Sequence, residues 1–466
     1  MNADPARVRE SRPDQALSDT PPPLWEQAAA IVVIVMMTQA LIGPVFAPTQ
    51  EETPVLRLVW LPVYAIIAGL LVARADKVVR VWPAVLMLGA LVLHAWASKY
   101  WSIDPATTGR RVIALAITGA FSIYLGAAFR GPHLPRLLMH AGLLMALGSV
   151  VMVFAFPTIG LHLDINAPLW RGLWYEKNQM GIVMVAGAVA AAACLASDDP
   201  RRLLPAVTLA TTTLLVLATQ SKTSLLCLGV GLGAIAGLSL MRRGGPAFAV
   251  VAVWLGVILG AIGGWLILTD TAAVLEALGK DPSLTGRTDI WDSLMRRVEE
   301  RPWTGYGYNA FWGRESVPAA FVREETGWRV PSAHNGWIDL LVQLGWPGAI
   351  GVGVLMAGTA LITVFRLGAA GGREGYWSLA YLGAFFVLSL SESVLLSRAN
   401  LPWALFLAIL ARAVSPEPRP ARVALAPHRR GASWPSPRNT AQHAHRKPGA
   451  PAALLAAPKN RRLDRN

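Results

Sequence analysis

Residues 247–268 read AFAVVAVWLGVILGAIGGWLIL, 22 positions without one charged side chain. At 1.5 Å of rise per residue, a helix of this length matches a bilayer core of about 30 Å. Hydrocarbon offers no partner to a free backbone N–H or C=O, so the segment is expected to be a spanning helix. Eleven more apolar stretches surround it. They are Leu24–Phe46, Leu58–Ala73, Val81–Ala97, Val112–Phe129, Leu137–Phe156, Met180–Ala196, Leu203–Thr219, Leu225–Met241, Trp346–Phe365, Tyr376–Leu390 and Leu401–Val414. The last two are short. Small residues recur within the spans, with Gly229, Gly231 and Gly233 in one of them, which suits close helix packing. The expected fold is an all-α integral membrane protein of about twelve transmembrane helices, filling residues 24–414.

Composition points the same way. Of 466 residues, 54% are hydrophobic and only 15% charged, and the mean hydropathy is +0.44. Soluble proteins average about 25% charged residues. So few charges cannot solvate the surface of a chain this long, which excludes a soluble enzyme, a fibrous protein and a disulfide scaffold. The two cysteines, Cys194 and Cys227, lie inside apolar runs and suggest neither a bridge nor a metal site.

The net charge of +14 does not indicate nucleic acid. Residues 415–466 alone contribute +9, with eleven Lys/Arg, two acids and nine prolines. They read as a disordered basic, proline-rich tail, solvated and without a partner, with contact to anionic lipid headgroups as the alternative. Residues 1–23 read as a second short tail. Placing both tails in the cytoplasm puts eleven Lys/Arg in 35 residues of short inner loops and eight in 63 residues of short outer loops. That bias is the orientation expected of a membrane protein. No cleavable signal is evident, so the first span serves as its own insertion signal.

One outer loop is long. Residues 269–333 separate the ninth and tenth spans and hold Trp291, Trp303, Trp312, Trp328, Tyr306, Tyr308, Phe311 and Phe321. Such a loop inside a compact protein is usually functional. Within it, Ile290, Leu294 and Val298 recur every fourth residue, the pattern of an amphipathic helix lying on the membrane or capping a cavity.

The outer side also carries more cations than anchoring needs. Arg110 and Arg111 end the loop SKYWSIDPATTGRR; WRGLWYEKNQMG holds Arg171, Lys177 and Asn178; Lys222 sits in TQSKTS between two spans. Arg287 lies in GRTDIW, His334 and Asn335 in SAHNGW, and Glu392 near the end of the eleventh span. Each has a plain alternative. Arg110, Arg111, Arg171 and Lys177 can reach lipid headgroups, and Lys222 can be a wetted turn residue. Arg287 can pair with Asp289 or Glu299, Glu392 with Arg398, and His334 can hydrogen-bond within its loop. The loop aromatics, Tyr306 among them, can be interfacial packing. Together, however, these residues describe a wet outward cavity rich in cations, which selects phosphate or pyrophosphate. Aromatic faces beside it favour sugar rings. No metal-ligand spacing or P-loop appears, and no metal or cofactor is expected.

The pieces WSIDPATTGRR, LWYEKNQMG, QSKTSLL, DPSLTGRTDIWDSLMRRVEERPWTGYGYNAFW and SAHNGWIDLLVQLGWPG resemble, in order, the O-antigen ligase and Wzy-type polysaccharide polymerase family, and most of all its exopolysaccharide polymerases. The resemblance spans roughly residues 60–414. It implies a metal-independent, inverting glycosyltransferase of the GT-C type, acting on undecaprenyl-pyrophosphate-linked glycans at the periplasmic face of the inner membrane. It implies that His334 is the catalytic histidine and that Arg287 and Lys222 bind the donor pyrophosphate, with Arg111 and Lys177 assisting. Asn178, Asn335, Tyr306 and Glu392 complete the expected pocket. Two positions depart from the pattern: Ser332 stands where many relatives have a first histidine, and Lys222 where many have arginine. The expected partners are membrane lipid, the lipid-linked glycan, a chain-length regulator and export proteins. Ligation of glycan onto lipid A core or protein is the alternative within the family. A secondary transporter and a non-catalytic export scaffold are the alternatives outside it.

Overall fold

The computed structural model describes residues 21–46, 54–162, 169–197, 200–269, 287–327, 329–367 and 372–415. The expected N-terminal tail up to residue 20, the loop stretch 270–286, Trp328 and the basic tail from residue 416 lie outside the described residues. The described residues form helices and the loops between them, with one short hairpin, Leu161–His162 paired antiparallel with Leu169–Trp170.

The helices follow the apolar stretches closely. They are α1 Leu24–Met37, α2 Pro54–Ala73, α3 Ala75–Arg80, α4 Trp82–Ala97, α5 Pro105–Ala128, α6 His133–Ala155 and α7 Lys177–Leu195. Then come α8 Leu203–Thr219, α9 Lys222–Thr269, α10 Arg287–Glu300, α11 Val317–Thr326, α12 Gly336–Phe365, α13 Gly372–Ser389 and α14 Leu401–Ala413. Among the described residues, five helical segments are long and apolar enough to cross a membrane: α5, α6, α7, the Lys222–Gly245 part of α9, and α12. The chain is a multi-pass, all-α membrane protein. Gly245, at φ 74° and ψ −176°, breaks α9 between the eighth and ninth apolar stretches.

Small residues set the closest crossings. A Cβ on Gly142 of α6 would lie 2.8 Å from the Cα of Gly187 on α7, and one on Gly126 of α5 would lie 2.6 Å from the Ala408 carbonyl of α14. Without a hydrophobic force between helices in lipid, such contact is what van der Waals packing requires.

The two ends of the bundle differ. At one end Glu26, fully buried at the start of α1, accepts from Arg74 Nε (2.9 Å) and from the Tyr124 hydroxyl (2.8 Å). At that end too, Arg412 at the foot of α14 meets Glu374 at the start of α13 (2.6 Å). These buried charges are tolerable because each is paired. At the other end lie the loop 98–104, the starts of α7 and α9, helices α10 and α11, the segment 390–400 and the start of α12.

The long loop is tied to that start by a break in α12. Pro347 has no N–H to offer the Gln343 carbonyl, and Gly345 turns to φ 65°. The freed carbonyls are taken by the loop. Tyr306 N donates to Val342 O (2.8 Å), Gly307 N to Gln343 O (3.0 Å), and Trp346 N turns to Pro302 O (2.8 Å). From its other side the same loop is held by 98–111. Ile103 N donates to Tyr306 O (3.1 Å), Tyr308 N to Ser98 Oγ (2.9 Å), Thr108 Oγ1 to Tyr308 O (3.0 Å) and Trp101 Nε1 to Thr304 O (2.8 Å). Three of the quoted motifs are therefore one joint.

Candidate active site

His334 is held in the left-handed region at φ 48°, strained for a non-glycine residue. Two local devices keep it there. Asn335 caps α12, its Oδ1 accepting from the backbone N–H groups of Trp337 (2.9 Å) and Ile338 (3.2 Å). Trp291 of α10 donates its indole N–H to the Ala333 carbonyl (2.9 Å). The side chain of Asn335 is thus occupied in capping, and its place in the site is to start the helix behind His334.

The imidazole Nδ1 faces Glu392 Oε2 at 3.7 Å, and the other carboxylate oxygen faces Arg287 Nη2 at the same distance. Arg287 is steered by a hydrogen bond from Nη1 to the Ser391 carbonyl (2.9 Å). Glu392 therefore sits between the two residues that the resemblance singles out. His334 and Glu392 are 47 and 105 positions from Arg287, so neither pairing follows from proximity along the chain. Nδ1 of His334 and Oε1 of Glu392 are closed off from solvent and have no hydrogen-bond partner among the described residues. Unsatisfied buried polar atoms are uncommon in native folds and concentrate at functional sites.

The remaining cations divide. Lys222 is exposed and opens α9, directly after Gln220 and Ser221, with Gln220 at φ 51°. Lys177 and Asn178 open α7. The two helix starts touch, since a Cβ on Gly181 would lie 2.3 Å from Ser224 Oγ. Two helix N-termini that each begin with lysine favour an anion through both dipole and charge. Cys227, just over one turn beyond Lys222, lines a small cavity with Leu388, whose carbonyl accepts from the Glu392 N–H (2.9 Å).

Arg111 also serves the scaffold. Its Nη1 donates to the Asn309 side-chain oxygen (2.7 Å) and to the Asn309 carbonyl, holding Asn309 at φ 58°. Arg171 is spent on three carbonyls, those of Ile159 (2.8 Å), Thr158 (3.0 Å) and Tyr175 (3.3 Å). Tyr306 is buried at 3% exposure, packed edge-on to Phe311 and donating to Glu300. It belongs to the joint between loop and α12, not to an open cleft.

Ile290, Leu294 and Val298, the apolar stripe expected of α10, are all buried. The stripe holds α10 on the protein, so the helix acts as a cap and carries Arg287 at its first position. Burial of each such side chain contributes about 1.5–3 kcal/mol.

Sequence reasoning missed Asp339. It is buried in the first turn of α12 and accepts from the Trp312 indole (2.7 Å), linking the aromatic loop to the helix that starts behind His334. A lone aspartate among apolar residues was its only signal. Tyr308 was read only as an aromatic. Burial pushes its hydroxyl up to about 12, so it stays protonated and donates to the Leu396 carbonyl (2.8 Å), tying the loop to the segment that bears Glu392.

Comparison with known proteins bears on the same region. Residues 207–353 match the O-antigen ligase family, a span that contains Lys222, Arg287 and His334. The chain is also 25% identical over 335 residues to the exopolysaccharide production protein ExoQ of Rhizobium meliloti (strain 1021), covering 66% of this chain and 68% of that one. These two similarities agree with the family that the motifs resemble.

Proposed function

We propose that this protein is a membrane glycosyltransferase that joins lipid-pyrophosphate-linked oligosaccharide repeat units at the periplasmic face of the inner membrane. The observation that carries the reading is the convergence of His334, Glu392 and Arg287 beside two lysine-headed helix starts. Polymerisation is preferred over ligation because the curated relative is named for exopolysaccharide production.

The chemistry follows from the groups present. The donor is activated by its own sugar–pyrophosphate bond, so no nucleotide is required. The acceptor hydroxyl oxygen attacks the anomeric carbon while the carbon–oxygen bond to pyrophosphate breaks. The electron pair leaves on the pyrophosphate, and the hydroxyl proton passes to His334. A single displacement inverts the anomeric centre. With Nδ1 turned to Glu392, the free Nε2 is the atom that takes the proton, and the carboxylate steadies the imidazolium that forms. Arg287 and Lys222 oppose the charge gathering on the pyrophosphate, with Lys177 at the neighbouring helix start. Preplaced donors of this kind are worth about 3–4 kcal/mol each in a site that excludes water. Arg287 has five N–H donors, so its contacts to Ser391 and Glu392 leave others for phosphate oxygens.

The test is an in vitro reaction with lipid-linked repeat units and purified protein in nanodiscs. His334→Ala and Arg287→Ala are each expected to lower turnover by about 100-fold or more, with the protein still folded. Full turnover in both variants would refute the assignment. Product that stays on the lipid carrier and grows by repeat units identifies a polymerase; product released onto lipid A core or protein identifies a ligase.

A further inference from the structure

A cavity of about 70 Å³ opens between the end of α1, the first turn of α7 and the start of α14. Its walls include Gln39, Gln179, Asn400, Met37, Ile182 and Pro402, and none of its lining side chains is charged. The mixture of a few polar groups on an apolar surface is the usual one for a site that takes a small polar molecule.

The polar groups have capacity to spare. The Gln179 carboxamide makes no hydrogen bond among the described residues. Gln39 Nε2 reaches the Ala399 carbonyl only at 3.4 Å, the outer limit of a hydrogen bond. Asn400 uses its Oδ1 to cap α14 through Trp403 N (3.0 Å), leaving its amide hydrogens available. The walls are also strained, with Gln39 at φ 61° and Ala399 at φ 46°. Two non-glycine residues held in the left-handed region on facing walls mark a place that the fold maintains at a cost in stability. The α1 end is pinned from behind, with Trp174 Nε1 donating to Thr38 O and Leu41 N to Leu173 O, both at 2.8 Å.

The cavity adjoins the histidine cluster. Val394 lines it, and Val394 N donates to the carbonyl of Glu392 (2.9 Å) in a tight turn. One wall is thus two residues from the carboxylate that faces His334.

We infer that this cavity is the acceptor subsite, holding the terminal sugar whose hydroxyl is presented to His334; the inference rests on the glycosyl-transfer reading above. A neutral lining does not select pyrophosphate, and three carboxamides do not suit an isoprenoid chain. Carboxamides offer donor and acceptor side by side, matching neighbouring ring hydroxyls. Met37, Ile182 and Pro402 match the C–H face of a pyranose. The neighbouring cavity shares Ile182 but is lined otherwise by Val185, Cys227, Tyr381, Ala384, Phe385 and Leu388, and lacks carboxamides.

The test uses full-length protein in phosphatidylglycerol/phosphatidylethanolamine nanodiscs and two probes by calorimetric titration. One is the neutral oligosaccharide released by mild acid from lipid-linked repeat units of a host lacking this gene; the other is inorganic pyrophosphate. Gln179→Ala is expected to bind the oligosaccharide about fivefold more weakly, the loss of one hydrogen bond, with pyrophosphate binding unchanged. Gln179→Asn, a smaller change, is expected to weaken it in the same direction. Equal oligosaccharide affinity in wild type and both variants, or no oligosaccharide binding by folded wild type, overturns the subsite. A folded wild type that binds the oligosaccharide but transfers no sugar overturns the glycosyltransferase reading and leaves the binding result standing.

Discussion

At the scale of single residues, the functional proposal turns on Glu392. A carboxylate 3.7 Å from both His334 and Arg287 is too distant for a hydrogen bond to either. Catalytic contacts are often long before substrate binds, and they shorten in the complex. Glu392 touches no reacting atom in the scheme above, so it is a positioning residue. Glu392→Gln keeps the shape and removes the charge. We expect turnover to fall about 10-fold to 100-fold, the worth of one charge-assisted hydrogen bond, while KM for the donor stays within about twofold. Glu392→Asp should recover part of the loss. A matching rise in KM without loss of turnover would show instead that Glu392 shapes donor binding. Arg111 and Arg171 make the converse point. Both looked suited to phosphate, yet Arg111 holds Asn309 and Arg171 holds three carbonyls.

At the scale of elements, the break in α12 decides how the long loop sits. A Cβ on Gly345 would lie 2.6 Å from the Pro302 carbonyl, and one on Gly305 would lie 2.5 Å from the Gln343 carbonyl carbon. Neither backbone can yield without opening the joint. Gly345→Ala is expected to cost about 1–3 kcal/mol from its left-handed conformation alone, before the clash is counted. Thermal unfolding should show the loss, and the loop 301–309 should become sensitive to protease. Helix α11 is tied down differently, through Glu325 to Arg296 and Arg297 of α10. The neighbouring Ser293 hydroxyl first, and the arginines after it, hold the Glu325 carboxyl below its ordinary value. A depressed folded-state value gives stability that is present above the unfolded value, near 4.5, and is lost as pH falls through the folded one. Acidification below about pH 4 should therefore loosen α11 from α10. Limited proteolysis near residue 320 checks this, and Glu325→Gln should remove the pH dependence.

At the scale of the whole molecule, the helices place the joint, the histidine cluster and the carboxamide cavity at one end, and the Glu26–Arg74 and Glu374–Arg412 pairs at the other. The positive-inside bias predicts that the first end faces the periplasm. Glu315 and Asp76 are exposed at opposite ends, and Cys194 and Cys227 are both buried, so added cysteines can be labelled selectively. In intact cells a membrane-impermeant maleimide should label Glu315→Cys but reach Asp76→Cys only after permeabilisation. The reverse pattern would invert the topology and remove the periplasmic reading of the reaction.

The sequence by itself determined that the chain lives in a membrane, where its apolar helices lie, and that α10 carries a buried stripe. These properties are local: twenty apolar residues, or a repeat every fourth position, are complete signals because lipid and helix geometry read them residue by residue. The motifs also marked His334 and Arg287. Only the tertiary structure decided that Glu392 stands between them, that Arg111 and Arg171 hold parts of the scaffold, and that the GYGYN stretch fills the break left by Gly345 and Pro347. Those outcomes depend on contacts between residues far apart in the chain. A side chain's charge states what it can bind, but its partner is chosen by the packing of other helices, and no window of sequence contains that choice.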